Sequence, residues 1–379
     1  MRGRLISVRG MSAADEEAWR DLAERSAEPN PLCEADCVIP AARHQTFGDE
    51  IALVVAEENG RFHACVPVRP VSNWYNIRYP IAANKVRRST YVGTPLVDPT
   101  HGTAAVAALL GTLADERRTL GVRLFGLDSL REAGPVARHV YAAAAELGLP
   151  VYVHEDFERA MVLRRTEPTY LDDLDGGTRR NLRRRHRLAA RELGVVPHLV
   201  DLSHDPTAVD AFIALEASGY KSENGVALAT VPGDRAYFRD MCERFASSKN
   251  LVVPTLECGG RTLAMQIWLR GGDGLFAIKA AYDERFSRYG PGVWLHTKVF
   301  EQFHDATDAR WLDTCSSPDN QFLLDLYPDR TRITTLLFAL GGPRDHLLVR
   351  SLPHIRAVHK RWRTRRGAGG ATVPTGGDR

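Results

Sequence analysis

A strand-to-helix segment at residues 275–304 contains the residue types that bind phosphate groups. A predicted strand that ends in Lys279-Ala280-Ala281-Tyr282 leads through a short polar loop to Gly290-Pro291-Gly292, where a helix begins. Glycine lets the backbone approach an anion closely, and the unpaired amides of a helix's first turn favour negative charge. Arg285 and Arg288 would add charge-assisted contacts. The segment predicts a phosphate site, although the same glycines and proline also suit an ordinary helix cap.

The densest charge run of the chain is a row of arginines on a helix predicted at 178–193. Its apolar side is a narrow seam of Leu182, Ala189 and Leu193, so arginine dominates the exposed surface. Three interpretations stay open: a solvated face, a clamp for the phosphates of a cofactor or an anionic acceptor, and an RNA contact. The arginines are Arg179, Arg180, Arg183, Arg184, Arg185 and Arg187.

The elements that must position these residues alternate between strands and helices. In the first half the patterns predict strand 5–8, a helix capped by Ser12, a hairpin of strands 51–57 and 62–69, strand 90–97, helix 103–120, strand 122–127, helix 135–147 and strand 151–154. In the second half they predict helix 178–193, strand 195–200, helices 207–219 and 234–247, three hairpin-joined strands at 251–258, 262–269 and 275–281, helix 291–304, strand 309–313, helix 320–326 and strand 333–338. The order is similar in the two halves, which suggests an internal duplication of one mixed α/β fold.

A break in this pattern separates the two halves. Pro168 and Gly176-Gly177 interrupt the alternation, which predicts a first domain at 1–165 and a second at 166–360. The Gly-, Arg-, Thr- and Pro-rich end of the chain, 361–379, is predicted to be a disordered tail.

Composition excludes several classes of protein. The 379 residues carry a net charge of only +3, which argues against a protein dedicated to coating nucleic acid. The segment 1–10 lacks the apolar core of a signal peptide, and no apolar run is long enough to cross a bilayer. Six scattered cysteines, of which only Cys33 and Cys37 are close in sequence, predict reduced thiols and no metal site. We therefore expect a cytoplasmic protein that does not act at a membrane.

Six pieces of the second half together resemble a known family. They are 178–187 (TRRNLRRRHR), 216–221 (EASGYK), the Gly259-Gly260 hairpin, 281–283 (AYD), 288–292 (RYGPG) and Asp313 followed by 326–330 (LYPDR). In order and spacing they are similar to the acetyltransferase branch of the GNAT superfamily typified by CelD/BcsL-like proteins, a relative of the Fem-type peptidyltransferases. The resemblance covers 171–340 and implies tandem GNAT-like domains, each a mixed, mostly antiparallel sheet flanked by helices, with a degenerate first copy and a catalytic second one. The loop at 288–292 matches only part of the superfamily's spaced-glycine pattern.

The resemblance also implies where an acyl-CoA would bind. The backbone of Lys279, Ala280, Ala281 and Tyr282 would pair with the pantetheine arm. The amides of Gly290 and Gly292, with Arg285 and Arg288, would hold the pyrophosphate. The thioester would then lie where neighbouring strands separate.

Catalytic and acceptor residues follow from the same comparison. Asp313 would project its carboxylate toward that opening as a general base or amine anchor, or else serve as a turn or cap residue. Glu216 is the second candidate base, on a helix end that would otherwise be solvated, and Tyr282 would protonate the leaving thiolate or fill a half-buried core position. Tyr220 and Lys221 would face the acceptor. His296 has the helical spacing of a core residue.

The resulting hypothesis is a metal-independent N-acyltransferase that moves an acetyl group from acetyl-CoA to the amine of a small molecule. Fem-like transfer of an aminoacyl group from charged tRNA is the alternative, although the chain lacks the coiled-coil heptads expected of the helical arm in such enzymes. A non-catalytic scaffold of two degenerate GNAT folds is a third. Nucleic acid is not expected as a partner in the main hypothesis, and a homodimer is compatible with it.

Overall fold

The computed structural model describes residues 1–86, 91–167, 169–174, 176–219, 225 and 227–367. Its first half contains β1 (Arg2–Ser7), α1 (Ala13–Arg25), α2 (Ala35–His44), β2 (Ala52–Glu58), β3 (Arg61–Val71), β4 (Ile81–Ala83), β5 (Leu96–Val97), α3 (Gly102–Asp115), β6 (Leu124–Arg131), α4 (Pro135–Glu146) and β7 (Val151–Leu163).

The second half repeats a similar order of elements. It contains α5 (Gly176–Leu193), β8 (His198–Asp201), α6 (Ala208–Ala217), α7 (Asp234–Ser247), β9 (Leu251–Val252), β10 (Pro254–Cys258), β11 (Arg261–Gly271), β12 (Gly274–Tyr282), α8 (Pro291–Asp305), β13 (Trp311–Asp313), α9 (Gln321–Leu326), β14 (Asp329–Ala339) and α10 (Pro343–Gly367).

Local sequence explains why several of these elements begin and turn where they do. The Ser12 side chain accepts a hydrogen bond from the amide of Asp15 and so caps α1. Between β2 and β3, Asn59 and Gly60 both have positive φ, which a two-residue type I′ hairpin turn requires. Pro291 occupies the first turn of α8, where its missing amide costs nothing.

The described strands form one mixed, mostly antiparallel sheet that runs through both halves. Its order is β1-β2-β3-β4-β6-β14-β7-β13-β12-β11-β10-β8, with β5 on β3 and β9 on β11. The last strand of each half is inserted beside the other half: β14 lies between β6 and β7, and β7 lies between β14 and β13. The halves therefore depend on each other for backbone pairing.

Packing also joins the halves away from the sheet. Helix α2 of the first half lies against α7 of the second, where the Cys37 thiol is 3.3 Å from the Tyr237 hydroxyl and 3.8 Å from the Met241 sulfur. At the rim of this contact, Asp36 accepts hydrogen bonds from Arg20 and lies 3.5 Å from a nitrogen of Arg244. One apolar cluster extends from α1 and α2 to α6 and α7, so the halves share a core.

The architecture confirms the expected fold class and most predicted elements, with shifts of a few residues at many bounds, one additional short strand, β4, and three larger differences. Of the strand predicted at 90–97, residue 90 lies outside the described residues, and within 91–97 only Leu96–Val97 forms a strand. Pro95 has no amide to donate, and Gly93 bonds instead to Ser129 and Asn84. Strand β7 extends nine residues beyond the predicted end at residue 154, because it pairs along its length with β14.

The third difference concerns the predicted tail. Helix α10 continues to Gly367, so residues 361–367 are helical, which is consistent with the absence of Gly and Pro from 354–366; residues 368–379 lie outside the described part.

The domain boundary at 165 stays a prediction. Strand β7 ends two residues before it and pairs on both sides with strands of the second half.

Two further observations bear on the sequence analysis. Cys33 and Cys37 are both buried as free thiols in the shared core. Among the described residues, no helix combines the length and the apolarity needed to cross a bilayer.

The inserted strand yields a stability prediction. Phe338 on β14 is fully buried and stacks on Phe125 of β6. We expect Phe338→Ala to lower the free energy of unfolding by about 3–5 kcal/mol, because it leaves a cavity where the halves meet. Urea unfolding monitored by circular dichroism measures this, with Leu347→Ala, at a 70% exposed position, as the control. A loss below about 1 kcal/mol would be close to the effect of an ordinary surface substitution and would contradict the shared core.

Candidate active site

Two neighbouring parallel strands of the second half separate after a short stretch of pairing. β12 and β13 pair from Gly274–Trp311 to Phe276–Asp313, and β13 then ends while β12 continues to Tyr282. A register shift between Ile267 and Trp268 on the neighbouring strand makes Ile278 an extra residue, and such a bulge bends the strand. The result is a fork whose walls are 277–282 on one side and 314–316 on the other.

The fork is held open by the way the chain leaves β13. The hydroxyl of Thr314 donates to the carbonyl of Ala160 at 2.7 Å, and Nε of Arg159 donates to the carbonyl of Ser316 at 3.0 Å. Both partners lie on β7 of the first half. Cys315 between them adopts a left-handed φ of 50°, which is costly for a residue with a side chain. The first half therefore draws residues 314–316 away from β12.

Asp313 stabilises this turn from inside the protein. Its side chain is completely buried, one carboxylate oxygen accepts the amide of Cys315 at 2.7 Å, and the other lies 3.6 Å from Arg159 and 3.7 Å from Arg131. It does not line the cavity described next. The prediction that the carboxylate projects toward the opening is wrong, because the carboxylate is buried against the Cys315 amide and the two arginines of the first half.

A cavity of about 570 Å³ occupies the fork and extends toward the start of α8. Its walls come from β12, the loop before α8, α8 itself, α6, and the segments around β13 and α9. Lining residues include Tyr91, Arg185, Glu216, Gly219, Gln266, Lys279, Ala280, Ala281, Tyr282, Gly290, Gly292, His296, Cys315, Asn320, Phe322 and Tyr327. The structure thus brings most of the predicted cofactor residues to one place.

The start of α8 forms one end of this cavity. Gly290 has φ 66° and ψ 53° and joins a 3-10 turn at 284–289 to the helix, a conformation that glycine adopts without strain. A Cβ at this position would collide with the guanidinium of Arg185, which reaches the loop from α5. The cavity end therefore combines a glycine turn, a helix N-terminus and an arginine, which together suit an anion.

The two arginines predicted for this role lie elsewhere. Arg285 is 85% exposed in its side chain and pairs with Asp283 at 2.6 Å. Arg288 is 66% exposed and pairs with Glu192 at 2.9 Å. Neither lines the cavity, because a neighbouring carboxylate holds each on the outer surface of the loop. The structure does not bring these two arginines to the cavity, and the arginine that lines it is Arg185.

A buried ion pair crosses the wall of the cavity. Lys279 on β12 donates to one carboxylate oxygen of Glu216 at 2.6 Å, and the other oxygen accepts the amide of Leu228 at 2.9 Å. The Glu216 side chain is fully buried, and 21% of the Lys279 side chain is exposed. Both residues line the cavity. The predicted second base thus lies in the wall of the cavity, hydrogen-bonded to a lysine.

Tyr282 lies at the helix end of the cavity. A Cβ at Gly292 would be 3.3 Å from its ring, so the ring packs over the first turn of α8. At about 3.3 Å per residue, the six residues from Phe276 place it roughly 20 Å along β12 from the point where the strands separate. The predicted acceptor residues Tyr220 and Lys221 lie outside the described residues.

A polar network that the sequence did not indicate lies deeper in the cavity. Trp268 donates to the Gln266 side-chain oxygen at 2.7 Å, so the Gln266 nitrogen faces Nδ1 of His296 at 3.1 Å. The Tyr327 hydroxyl is 2.9 Å from the same Nδ1. Because the Gln266 amide nitrogen can only donate, it makes Nδ1 an acceptor and places the ring proton on Nε2. Burial lowers the pKa of His296 to about 4, so the imidazole is neutral near pH 7, and burial raises the pKa of Tyr327.

The arginines of α5 divide between two surfaces. Arg185 reaches the cavity, whereas Arg179, Arg180, Arg183 and Arg187 line a separate shallow depression with Gly176. Within the described residues, Arg179 lies 3.9 Å from Asp172. The arginines that line this outer depression are the ones to which the solvated-face and anion-binding interpretations apply.

Comparison with known proteins agrees with this geometry. Residues 176–320 match the family model of the acetyltransferase (GNAT) domain. Over 92% of this chain and 100% of its own, FemX has the same fold, with 8% identity and a TM-score of 0.57. The C-terminal domain of a proposed lysylphosphatidylglycerol synthetase from Agrobacterium fabrum aligns over 90% of this chain and 96% of its own, with 14% identity and a TM-score of 0.53. L-PGS from Bacillus licheniformis aligns over 88% and 96%, with 13% identity and a TM-score of 0.50.

No curated protein matches the sequence. The matched segment contains the fork, the glycine turn and Glu216, so residues 176–320 carry a GNAT domain, and the chain as a whole shares its fold with solved structures that include FemX.

The buried Asp313 yields a prediction about stability. We expect Asp313→Ala to lower the free energy of unfolding by about 3–5 kcal/mol, because it leaves the charges of Arg131 and Arg159 buried without their carboxylate. Urea unfolding measures the change. Asp308→Ala, which removes an exposed carboxylate 2.8 Å from Arg270, is the matched control and is expected to cost less than about 1 kcal/mol. Equal effects of the two substitutions would contradict the structural role of Asp313.

Proposed function

Because the chain carries a GNAT acyltransferase fold, we propose that it transfers an acyl group from an acyl-CoA, with acetyl-CoA as the first candidate, to the amine of a small molecule. The observation that carries the proposal is the cavity itself. It runs from a glycine turn and helix N-terminus, where Arg185 supplies positive charge, to the fork between β12 and residues 314–316. Its length along β12 suits an extended thioester arm.

In this proposal the diphosphate of the cofactor lies at the start of α8. The first-turn amides, the turn at Gly290 and the guanidinium of Arg185 supply hydrogen-bond donors and charge. Tyr282, whose ring covers Gly292, contacts the arm of the cofactor near this end rather than the departing sulfur. The backbone of Lys279, Ala280 and Ala281 forms the wall along which the arm extends.

The reaction itself is direct transfer. The amine nitrogen attacks the thioester carbon, a C–N bond forms, the C–S bond breaks, and the proton lost by the amine is balanced by one gained by the thiolate. Glu216 is the candidate base or amine anchor, because its carboxylate lies in the wall of the cavity, 2.6 Å from the Lys279 amine. A carboxylate on the acceptor would in turn suit Lys279, which favours amino-acid derivatives as acceptors.

His296 suits a different task from proton abstraction. A neutral imidazole with its proton on Nε2 is a hydrogen-bond donor that carries no charge, and the ring is fixed from the Nδ1 side by Gln266 and Tyr327. Such a donor stabilises the oxygen of the tetrahedral intermediate, where negative charge develops. We assign this role to His296, the residue that sequence spacing placed in the core.

Transfer of an aminoacyl group from charged tRNA is the second candidate. Two observations favour it: the fold is shared with FemX and with lysylphosphatidylglycerol synthetase domains, and arginines line an exposed depression on α5. A non-catalytic scaffold is the third, and it requires that the cavity bind no cofactor.

One set of experiments distinguishes the three candidates. The purified chain is incubated with acetyl-CoA and a library of amines, and mass spectrometry detects acetylated products. The proposal predicts a product that ribonuclease treatment does not reduce. Transfer that requires charged tRNA and is lost after ribonuclease would support the second candidate. Absence of both products, together with no heat on titration with CoA, would support the scaffold.

The cofactor site yields a prediction about Arg185. We expect Arg185→Gln to weaken CoA binding about tenfold or more, because it removes a charge-assisted contact to phosphate. Isothermal titration calorimetry with CoA measures the affinity. Arg184→Gln is the matched control, since Arg184 is exposed on the same helix and hydrogen-bonds Asn181. If both variants bind CoA as tightly as the unmodified chain, the diphosphate does not lie at this end of the cavity.

The network at His296 yields a prediction about turnover. With an acceptor identified by mass spectrometry, we expect His296→Ala to lower kcat about 100-fold while the KM for acyl-CoA changes little, because the donor acts mainly on the transition state. His296→Gln, which retains an N–H donor, should recover part of the loss. His198→Ala, at an exposed histidine, is the control. Unchanged kcat in a folded His296→Ala variant would remove His296 from the chemistry.

A further inference from the structure

A cluster of metal-ligating side chains lies in the first half, at the tip of the β2–β3 hairpin. Glu58 ends β2, His63 lies near the start of β3, and His101 precedes the first residue of α3. One ligand atom from each of these three residues lies within 4.8 Å of the others. None of the three lines the cavity in the fork, so the cluster is separate from the proposed active site.

Backbone geometry brings these residues together. The register of the hairpin pairs Glu57 with Phe62 and Ala56 with Ala64, so His63 is the extra residue of a bulge. A bulge redirects a side chain, and bulges are common beside functional sites. His101 is fixed in turn by the start of α3, where its amide and that of Gly102 donate to the carbonyl of Asp98.

Both imidazoles are oriented by polar neighbours on the Nδ1 side. Nδ1 of His63 lies 3.3 Å from a carboxylate oxygen of Asp98, and Nδ1 of His101 lies 2.8 Å from the Thr100 hydroxyl. The two rings are 4.2 Å apart between centroids. A carboxylate on one ring nitrogen of a histidine fixes the ring and makes the other nitrogen a better ligand, as is usual around protein-bound metals.

Charge around the cluster fits a divalent cation. Asp98 is buried and shares its charge with Arg25, while Glu58 is exposed and lies 3.9 Å from the amino group of Met1. The carboxylate of Glu58 is therefore available to a cation that displaces a weak surface contact. Two imidazoles and one carboxylate with an open position are a set that Zn²⁺ binds.

From this arrangement we propose that Glu58, His63 and His101 bind Zn²⁺, with Asp98 as the positioning residue of His63. The ion would tie the tip of the β2–β3 hairpin to the start of α3 and so stabilise the first half. The site takes no part in acyl transfer, and its existence does not depend on the proposed function.

The test is titration of the full chain, with any affinity tag removed, by ZnCl₂ in a calorimeter and by Co²⁺ in a spectrophotometer. We expect one equivalent of Zn²⁺ to bind and Co²⁺ to produce the visible absorption of a low-coordinate site. Zn²⁺ should also raise the Tm, because a ligand that binds the folded state stabilises it.

Variants locate the site. We expect His101→Ala and Glu58→Gln each to weaken Zn²⁺ binding at least tenfold, and Asp98→Asn to weaken it about 10–100-fold through His63. His204→Ala, at an exposed histidine of the second half, should bind as the unmodified chain does. Absence of stoichiometric binding, or equal binding by His101→Ala, Glu58→Gln and His204→Ala, would overturn the proposal. Either result would leave the acyltransferase proposal unaffected.

Discussion

The arrangement of the site depends on one constraint: β12 and β13 pair for only three residues, and the chain after Asp313 cannot continue along β12. Thr314 and Ser316 are bonded to β7, and Asp313 holds the amide of Cys315 while its charge is compensated by Arg131 and Arg159. These contacts offset the strain of a left-handed residue at 315. Without them a parallel strand pair would tend to extend its hydrogen bonds, and the fork would close.

This constraint makes the first half part of the site. Arg131 ends β6 and Arg159 lies on β7, so both arginines that hold Asp313 come from the half that carries none of the matched GNAT segment. The insertion of β14 between β6 and β7 places those strands against the second half. The first half therefore helps to position the site even though none of its residues belongs to the matched GNAT segment.

Much of this could be predicted from the sequence, because the signals are local. The turn at Asn59-Gly60, the helix that begins after Ser12 and the Gly290-Pro291-Gly292 turn each depend on nearby residues, and the structure has all three. The partners of Asp313 and His296 could not be predicted in the same way. Arg159 lies on β7, whose neighbours are set by the exchange of β7 and β14, and Gln266 lies on β11, 30 residues before His296. No local spacing along the chain records either contact. For the same reason proximity in sequence to the glycine turn favours Arg285 and Arg288, whereas the arginine that reaches the turn is Arg185 on a distant helix.

The central claim is that the space between β12 and the start of α8 receives a nucleotide cofactor. Hydrogen exchange measured by mass spectrometry on the full chain, with and without CoA, tests it directly. If CoA binds there, backbone amides in residues 277–293 exchange more slowly when CoA is present, with no comparable change in 52–71 of the first half. Unchanged exchange across 277–293 at saturating CoA, or protection confined to the first half, would contradict it.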